Sequence, residues 1–195
     1  MVKISQDLSG YFLLLILNLK NMKNILLVLV GIVFLGLLAA AILPENFKIE
    51  KEVIINKPKS EVFEYLKMTK NENEWNPWIK KDPNIVQNFK GEDGNVGFIA
   101  SWSGNKEVGT GEQEITKITP NQRIDFELRF IKPMKAINTS YLSIEAISAN
   151  QTKVTWSITG KTKFPFNIIC FFMQKKVAAE FAVGLDNLKI ILEKK

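Results

Sequence analysis

The sequence predicts an α+β fold in which a curved antiparallel sheet of about seven strands wraps around a long C-terminal helix, preceded by one transmembrane helix. Three stretches of the chain indicate this. Residues 25–43 form an uncharged apolar run, residues 46–160 contain stretches of alternating apolar and polar residues, and an apolar stripe of helical period follows Pro165. Because the apolar face of a sheet must be covered, we expect the final helix to pack on it.

The N-terminal apolar run, Ile25 to Leu43, is built only from Leu, Val, Ile, Phe, Ala and Gly. As a helix it would be about 28 Å long, which is close to the hydrocarbon thickness of a bilayer. A helix is expected because lipid offers the backbone no hydrogen bonds. We therefore predict a transmembrane anchor at residues 22–44 and a single folded domain at residues 45–195.

The charges that flank this run predict its orientation. Lys20 and Lys23 precede it, whereas Pro44 and Glu45 follow it, and Lys48 partly offsets the difference. Positive charge favours the cytoplasmic side of a membrane. We therefore expect the N-terminus inside the cell and the domain on the extracytoplasmic side.

The ends of the anchor leave further interpretations open. Ala39 and Ala41 form an A-x-A pattern that is typical of a cleavage site, so a cleaved signal peptide is an alternative to the anchor. A second apolar run, Tyr11 to Leu17, is too short to span a bilayer. Since Met22 resembles a natural start, we interpret residues 1–21 as an N-terminal extension or an interfacial segment without an assigned function.

The composition excludes several kinds of chemistry. The chain contains no histidine, which is the commonest general base and metal ligand and a member of the hydrolase triads. Its single cysteine, Cys170, cannot form an internal disulfide or a recognisable zinc site, and its apolar neighbours indicate a buried side chain. We predict no metal, no cofactor and no catalytic residue, which leaves enzymatic activity uncertain.

The net charge gives little reason to expect a nucleic acid partner. The chain has a formal charge of +6, of which +4 lies on residues 45–195, and its only arginines are Arg123 and Arg129. Bidentate contacts to phosphates or bases are therefore scarce, and no basic block alternates with exposed aromatic residues. A weak attraction of a tethered, lysine-rich domain to anionic lipid headgroups is the favoured interpretation, so the expected partner is the bilayer.

Hydrophobic periodicity assigns the elements of the domain in order. Alternation from Phe47 to Ile55 predicts the first strand. Pro58 opens a short amphipathic helix, a helical turn follows near residues 71–75, and residues 78–82 form a loop or short helix. Further strands are predicted around Phe98–Trp102, Glu107–Ile118, Ile124–Phe130, Leu142–Ala146 and Val154–Ile158.

The last element is predicted to be one long helix that begins after Pro165. Gly184 lies in its middle, where glycine costs about 1 kcal/mol relative to alanine, so close packing against the sheet is expected there. Close approach of a ligand is the alternative. The apolar stripe of this helix consists of Val177, Phe181, Leu185, Leu188 and Leu192.

Short motifs occur in a consistent order along the domain. They are Trp75-Asn76-Pro77-Trp78 with Asp82-Pro83, Gly94-Asn95-Val96-Gly97, Trp102-Ser103-Gly104-Asn105, Gly109 with Gly111, Val154-Thr155-Trp156, and Gly184-Leu185 with Asn187-Leu188-Lys189. Their order and spacing resemble the SRPBCC superfamily, which has the START-like, helix-grip fold. The resemblance is to its polyketide cyclase/dehydrase-like branch, whose members are membrane-anchored bacterial proteins.

The resemblance implies a hydrophobic cavity between the sheet and the long helix that holds lipids, sterols, polyketides or similar small molecules. It implies no reaction, because this branch has no catalytic signature that can be transferred residue by residue. It also implies that the anchor lies in a bacterial inner membrane.

Large apolar side chains are the candidate ligand contacts, since such side chains supply most of the contact area in small-molecule pockets. Packing in the core is the alternative for each of them, and a residue that lines a cavity can do both. The residues predicted to contact a ligand are Trp78, Trp102, Phe126, Leu128, Phe130, Trp156, Phe181 and Leu185.

The conceivable acid–base groups are the lysines, one tyrosine and four carboxylates. The tyrosine is Tyr141, and the carboxylates are Asp82, Asp125, Glu127 and Glu145. Asp125 and Glu127 alternate with Phe126, which predicts that they lie on the solvent face of the sheet. Asp82 precedes Pro83 and is typical of a turn. No pair of these groups is predicted to form a catalytic dyad.

Three functions remain open from the sequence. The leading one is a membrane-tethered binding protein for a small hydrophobic or amphipathic ligand, lipid-like or polyketide-like, held in a cavity between sheet and helix. An enzyme of cyclase, dehydrase or isomerase type would need a buried carboxylate or tyrosine whose pKa is strongly shifted inside the cavity. A ligand-free envelope interaction module would instead have a cavity too small for a ligand and an exposed apolar patch.

Overall fold

The structure is a computed structural model that describes the backbone of residues 3–194 and the side chains of residues 22–194. The predicted N-terminal apolar helix is confirmed, and α1 covers Lys3–Ile42. Its segment Met22–Ile42 has a mean hydropathy of 3.1, and only 6% of its most apolar window is buried. By length and composition it could cross a membrane, and it is not a helix of the domain core. Side chains of the predicted extension, residues 1–21, lie outside those described.

The domain that follows has the predicted order of elements. Helices and strands alternate at first, then strands succeed one another, and one long helix ends the chain. Their bounds are β1 Asn46–Ile55, α2 Lys59–Lys67, a 3-10 turn Thr69–Asn71, α3 Glu72–Trp75, α4 Pro77–Lys80, β2 Val86–Lys90, β3 Ile99–Ser103, β4 Thr110–Thr119, β5 Arg123–Lys132, β6 Ala136–Ser148, β7 Gln151–Lys161 and α5 Asn167–Lys194.

The strands form one antiparallel sheet of seven strands in the order β1-β7-β6-β5-β4-β3-β2. The first strand lies beside the last, from Asn46 opposite Lys161 to Ile55 opposite Thr152. Irregular register between β4 and β5 and between β6 and β7 bends the sheet at these points. The predicted α+β fold, with a seven-stranded antiparallel sheet and a long C-terminal helix, is confirmed.

Strand β2 is the element that hydrophobic periodicity did not reveal. It lies at the edge of the sheet, paired with β3. Four of its five residues are exposed, among them Val86 and Phe89. Because neither face is buried, apolar and polar residues do not alternate along it, and the sequence signal for a strand is missing.

One apolar core lies between the sheet and helices α2 and α5. Helix α2 contributes Val62, Phe63 and Leu66, which confirms its predicted amphipathic stripe. The sheet contributes fully buried residues from five different strands: Ile55, Ile115, Ile124, Leu142 and Val154. These side chains hold the sheet and α2 together independently of α1.

Helix α5 buries only its C-terminal half. Four residues of the predicted stripe are buried, namely Phe181, Leu185, Leu188 and Leu192, whereas Val177 is half-buried. In the first half, Phe171 and Phe172 are exposed to the surface. The helix therefore packs on the sheet over its last four turns and stands away from it over its first turns.

Gly184 allows α5 to approach the rest of the domain closely. A Cβ at this position would lie 2.9 Å from Cδ of Pro77 and 2.9 Å from Cζ3 of Trp156. Trp156 is itself fixed, because its ring stacks on Phe181 at a centroid distance of 3.9 Å and meets Trp75 edge-on at 5.0 Å. The expectation that Gly184 is a packing glycine is therefore confirmed.

This contact predicts the effect of Gly184→Ala. Alanine is the better helix former, but its methyl group would collide with a proline ring and a buried indole, and neither can rotate away. We expect a loss of roughly 1–3 kcal/mol of unfolding free energy, as for other overpacked cores. Thermal unfolding of the full chain in detergent, followed by tryptophan fluorescence, measures it.

The matched control is Val183→Ala, one residue earlier on the exposed side of the same helix. It should change the unfolding free energy by less than about 0.5 kcal/mol. A Gly184→Ala protein as stable as the Val183→Ala protein would show that α5 does not depend on this close approach.

Candidate functional site

A cavity of about 520 Å³ lies between the sheet and α5. Its walls are formed by β1, by the short helices α3 and α4, by strands β2 to β7 and by the first half of α5. The volume falls within the range of about 300–1,000 Å³ that is usual for small-molecule sites. The cavity exists because α5 diverges from the sheet on the N-terminal side of Gly184.

Six of the eight residues predicted as ligand contacts line this cavity: Trp78, Trp102, Leu128, Phe130, Trp156 and Phe181. Trp156 and Phe181 are also members of the apolar core, so these two side chains both pack in the core and line the cavity. Trp102 and Phe130 meet edge-on at a centroid distance of 5.9 Å and form a second aromatic pair in the wall. Whether any of these side chains contacts a ligand stays a prediction.

Phe126 and Leu185 do not line the cavity. They are 3% and 1% exposed and belong to the packed core. Phe126 shares a strand face with Leu128 and Phe130, but it lies farther along β5, opposite Ile115 and Ser140. Leu185 follows Gly184 at the level where helix and sheet are in contact, so no space remains beside it.

Helix α4 places Trp78 at the cavity wall. Oδ1 of Asn76 accepts a hydrogen bond of 3.1 Å from the Trp78 backbone N–H and caps the helix. The Lys81 ammonium lies 4.6 Å from the centre of the indole and pairs with Glu107 at 3.0 Å and with Glu180 of α5. The pair with Glu180 ties α4 to α5, which fixes one side of the cavity.

Glu72 is the cavity residue that sequence reasoning missed. Its Oε1 accepts a hydrogen bond of 2.7 Å from Gln113, and its Oε2 accepts one of 2.9 Å from Asn76. Burial raises the pKa of this carboxyl above its usual range, the two amide hydrogen bonds oppose the change, and the charge of Asp93 adds to it. The pKa of Glu72 is thus shifted in the direction that often marks functional carboxylates.

A sequence signal for Glu72 existed but was weak. The stretch Asn71-Glu72-Asn73-Glu74 is polar throughout and is typical of a solvated segment. Yet Glu72 precedes the buried Trp75 by three residues, and residues three apart share one face of a helix. The helical turn therefore directs Glu72 inward together with Trp75.

Thr69 lies one turn before Glu72 and also lines the cavity. The residue is 5% exposed, and among the described side chains its Oγ1 has no hydrogen-bond partner. Its backbone N–H is satisfied by Asp93, whose Oδ1 accepts it at 2.9 Å. A buried hydroxyl without a partner is unusual, because most buried polar atoms are hydrogen-bonded.

The first half of α5 supplies the opposite end of the cavity, through Cys170, Met173 and Gln174. Cys170 was expected to be buried in the core, and this expectation is wrong, since its side chain is partly exposed. The reason is that the first turns of α5 do not pack on the sheet. The cavity reaches the surface there, and this end is called the mouth below.

The carboxylates singled out from the sequence have structural roles. Oδ1 and Oδ2 of Asp82 accept backbone N–H groups of Asn84 and Asn105 at 3.0 and 2.6 Å, which confirms a turn residue that also joins two loops. The others pair with cations on the outer face of the sheet: Asp125 with Arg123, Glu127 with Arg129, and Glu145 with Lys153. None of these four lines the cavity.

A second depression, of about 440 Å³, lies on the outer face of β4 to β6. Three of its side chains already pair with one another, because the Arg123 guanidinium lies 3.7 Å from the Tyr141 ring centre and bonds to Asp125. Within residues 22–194, no group of three or more Asp, Glu, Cys or His side chains could hold a metal ion. The cavity under α5 is therefore the candidate site.

The sequence of residues 46–193 matches the profile of a family described as "Polyketide cyclase / dehydrase and lipid transport". This range contains the whole sheet and all the residues that line the cavity. No curated protein matches the chain in sequence.

Solved structures of the same fold have low sequence identity to the chain. The Aha1 dimer from Colwellia psychrerythraea is 20% identical, with a TM-score of 0.54 over 75% of this chain and 96% of that one. Norcoclaurine synthase from Thalictrum flavum, in complex with dopamine and hydroxybenzaldehyde, is 11% identical, with a TM-score of 0.59 over 77% and 88%. A protein from Thermobifida fusca is 13% identical, with a TM-score of 0.55 over 73% and 90%.

At these identities the structures show the fold alone, and the profile shows the family. Sequence profile, sheet order and long terminal helix agree with the resemblance that the motifs indicated. The chain belongs to the polyketide cyclase / dehydrase and lipid transport family.

Proposed function

We propose that the protein is a membrane-tethered binding protein for a small apolar or amphipathic ligand. The observation that carries the proposal is the cavity of about 520 Å³, with aromatic walls and one polar end. Norcoclaurine synthase, which shares the fold, holds two small aromatic molecules, and this supports ligand binding within such an architecture. A ligand-free interaction module is disfavoured, because it would need no cavity of this size.

The apolar helix α1 is joined firmly to the domain, which supports its role as a tether. Nδ2 of Asn167, the first residue of α5, donates hydrogen bonds to the carbonyl oxygens of Ala40 and Leu43 at 2.7 and 2.9 Å. Glu45 accepts the backbone N–H of Phe164 at 3.1 Å. These bonds satisfy carbonyls at the end of α1 and place the start of α5 beside the point where α1 ends.

An apolar surface surrounds this point, and we call it the collar. It consists of side chains that are between 46 and 72% exposed: Phe164, Phe166, Ile169, Phe171, Phe172 and Met173. Lysines border it at positions 161, 163, 175 and 176. An apolar surface edged by cations is the pattern of a segment that lies in the interface of an anionic membrane.

The collar and the mouth of the cavity share Met173, and Cys170 and Gln174 lie on the neighbouring turns. If α1 spans the bilayer, the mouth therefore opens next to the lipid surface, and a ligand can pass between bilayer and cavity without crossing water. With Lys20 and Lys23 on the cytoplasmic side, the domain lies on the extracytoplasmic face of a bacterial inner membrane.

The substitution Ala100→Phe tests the cavity as the binding site. Ala100 lines it from β3, and a phenyl group there would project into the space between the aromatic walls that a ligand would occupy. Native mass spectrometry of the full chain, released from detergent micelles, should show a retained small apolar molecule on the wild type and none on the Ala100→Phe protein.

The matched control is Ala179→Phe, on the exposed side of α5, which should retain the ligand. Equal retention by the wild type and the Ala100→Phe protein would place the ligand elsewhere. An empty wild type, purified under the same gentle conditions, would contradict the proposed function.

Spin labels test whether the collar lies at the membrane. In a Cys170→Ser background, a label at position 172 should collide often with lipid-soluble oxygen and rarely with a water-soluble nickel complex. A label at position 183, roughly 16 Å farther along α5, should show the reverse. Val183 is exposed but lies outside the collar. Nickel accessibility at position 172 equal to that at position 183 would place the collar in water.

A second candidate function is acid–base catalysis on the bound ligand, and Glu72 is the observation that favours it. A carboxyl with a raised pKa inside a cavity meets the first requirement of a general acid or base. No second acid–base partner accompanies it, since the other carboxylate of the lining, Glu107, is exposed and pairs with Lys81. Catalysis requires that the wild type convert the retained ligand into a product over time and that Glu72→Gln not do so. The product is detected by its mass or, for an isomer of the same mass, by its chromatographic retention.

The protonation of Glu72 predicts a pH-dependent stability. Burial and Asp93 place its pKa in the folded chain above that in the unfolded chain. Below the pKa of the unfolded chain, the carboxyl is neutral in both states and does not lower the free energy of unfolding. That free energy falls as the pH rises through the pKa of Glu72 in the folded chain, because the carboxyl must then ionise in its buried position. We compare the melting temperature of Glu72→Gln with that of the wild type at each pH. The difference, variant minus wild type, should be about 2–5 °C larger at pH 8 than at pH 4.

The matched control is Glu64→Gln on the exposed side of α2, where the carboxylate pairs with Lys67 at the surface. Its melting temperature should follow that of the wild type at both pH values, because surface ion pairs contribute little. A Glu72→Gln protein that also follows the wild type would show that Glu72 carries no unusual proton affinity.

A further inference from the structure

The cavity has two chemically different ends. Thr69, Glu72 and Gln113 lie at one end, below α3, and Cys170 and Met173 lie at the mouth. Positions along β4 show that these ends are apart. The loop before β4 lies beside the first half of α5, since Glu107 is 3.6 Å from Lys176. Gln113 is three residues farther along β4 than Thr110, the first residue of that strand, and three residues of strand span about 10 Å.

We propose that Thr69, Glu72, Asn76 and Gln113 form a polar subsite, which binds the hydroxyl or amine end group of an amphiphile whose apolar chain runs along the aromatic wall to the mouth. The proposal rests on the proposed function and adds to it the chemical class of the ligand. It also orients the ligand, with its polar end group at the subsite and its apolar chain toward the mouth.

The hydrogen bonds of Glu72 leave acceptor capacity for a ligand. An ionised carboxylate has about four lone-pair sites and no donor, and a neutral one keeps most of its acceptor sites. The side-chain amide of Gln113 donates one hydrogen bond to Oε1 of Glu72, and that of Asn76 donates one to Oε2. These two amides also fix the position of the carboxyl, so its free lone pairs are held in one direction. A group that donates hydrogen bonds is the complement of such a site.

Thr69 supplies an independent indication of a missing partner. Its Oγ1 is buried, lines the same cavity and has no hydrogen-bond partner among the described residues. A hydroxyl both donates and accepts, so it can bind either an alcohol or an amine. Thr69 and Glu72 are three residues apart on one continuous helical stretch and face the cavity together.

The charges around the subsite exclude an anionic end group. Glu72 and the nearby Asp93 are both acidic, and their proximity already raises the pKa of Glu72. Lys70 is next to Thr69 but is exposed, with its ammonium 5.1 Å from the Phe89 ring centre. The lysines of the lining, at positions 106, 132 and 176, lie in the β3–β4 loop, at the end of β5 and in the first half of α5. Carboxylate or phosphate end groups would therefore meet carboxyl groups and no lysine of the lining at this end.

The experiment uses the full chain in nanodiscs and four probes with the same ten-carbon chain, 1-decanol, decylamine, decanoate and decane. Equimolar mixtures compete for the protein, and native mass spectrometry reads the bound probe. The wild type should favour decanol, decylamine or both over decanoate and decane by at least about tenfold. Glu72→Gln and Thr69→Val should each reduce this preference severalfold.

Matched controls separate the subsite from general effects of the substitutions. Glu64→Gln on α2 and Thr116→Val on β4, whose hydroxyl donates to the Asp125 carbonyl outside the cavity, should keep the wild-type preference. Thermal unfolding shows whether each variant is folded, and Thr69→Ala replaces Thr69→Val if the latter is not.

Two kinds of failure are distinguishable. Binding of all four probes with equal strength, or a preference for decanoate, overturns the polar subsite while the cavity remains a binding site. Binding of none of the probes overturns the proposed function itself. A preference that survives both Glu72→Gln and Thr69→Val also overturns the subsite, because it would arise from other groups.

Discussion

The contact between Gly184 and the pair Pro77 and Trp156 determines the shape of the domain. Because glycine has no side chain, the α5 backbone comes within van der Waals distance of a proline ring and of an indole that is itself stacked on Phe181. This contact fixes the C-terminal half of α5 on the sheet. On the N-terminal side of this contact the helix lines the cavity through Cys170, Met173 and Val177, so a space remains there between helix and sheet.

The walls of that space are kept apart by rigid side chains. Two pairs of large aromatic rings with few rotamers form them. Trp156 stacks on Phe181 beside Gly184, and Trp102 of β3 meets Phe130 of β5. Lys81 ties α4 to α5 through Glu180 and holds Trp78 at the wall. Aromatic side chains braced in this way resist collapse into the cavity. The same residues therefore serve both the core and the site, which is why the sequence could not separate core packing from ligand contact.

The sequence predicted those features that follow from periodicity, and it failed where a tertiary contact decides the outcome. The stripe of α5 from Phe181 to Leu192 and the faces of β1 and β5 follow from spacing alone. The edge strand β2 has no buried face and so no pattern. Phe126 and Leu185 lie on the faces of β5 and α5 that point toward the core. No space remains beside them, because α5 packs closely on the sheet from Gly184 onward. Glu72 was missed because it lies in a polar stretch, and its spacing of three residues from Trp75 is only a weak sign that it turns inward.

The position of the polar end, farthest from the collar, bears on how an amphiphile would enter. In a bilayer, an amphiphile holds its polar group at the interface and its chain in the hydrocarbon. If α1 spans the bilayer as proposed, the mouth lies at the interface and would receive the polar group first, and the chain would follow along the collar and then along the aromatic wall. Apolar surface is thus covered at every stage, and the polar group exchanges water for Thr69 and Glu72 at the end of its path. A cavity with the opposite polarity would require the chain to leave the bilayer through water, at about 0.8 kcal/mol for each exposed methylene. The arrangement of polar end, aromatic wall and collar therefore favours exchange of ligand with the adjacent leaflet over uptake from solution.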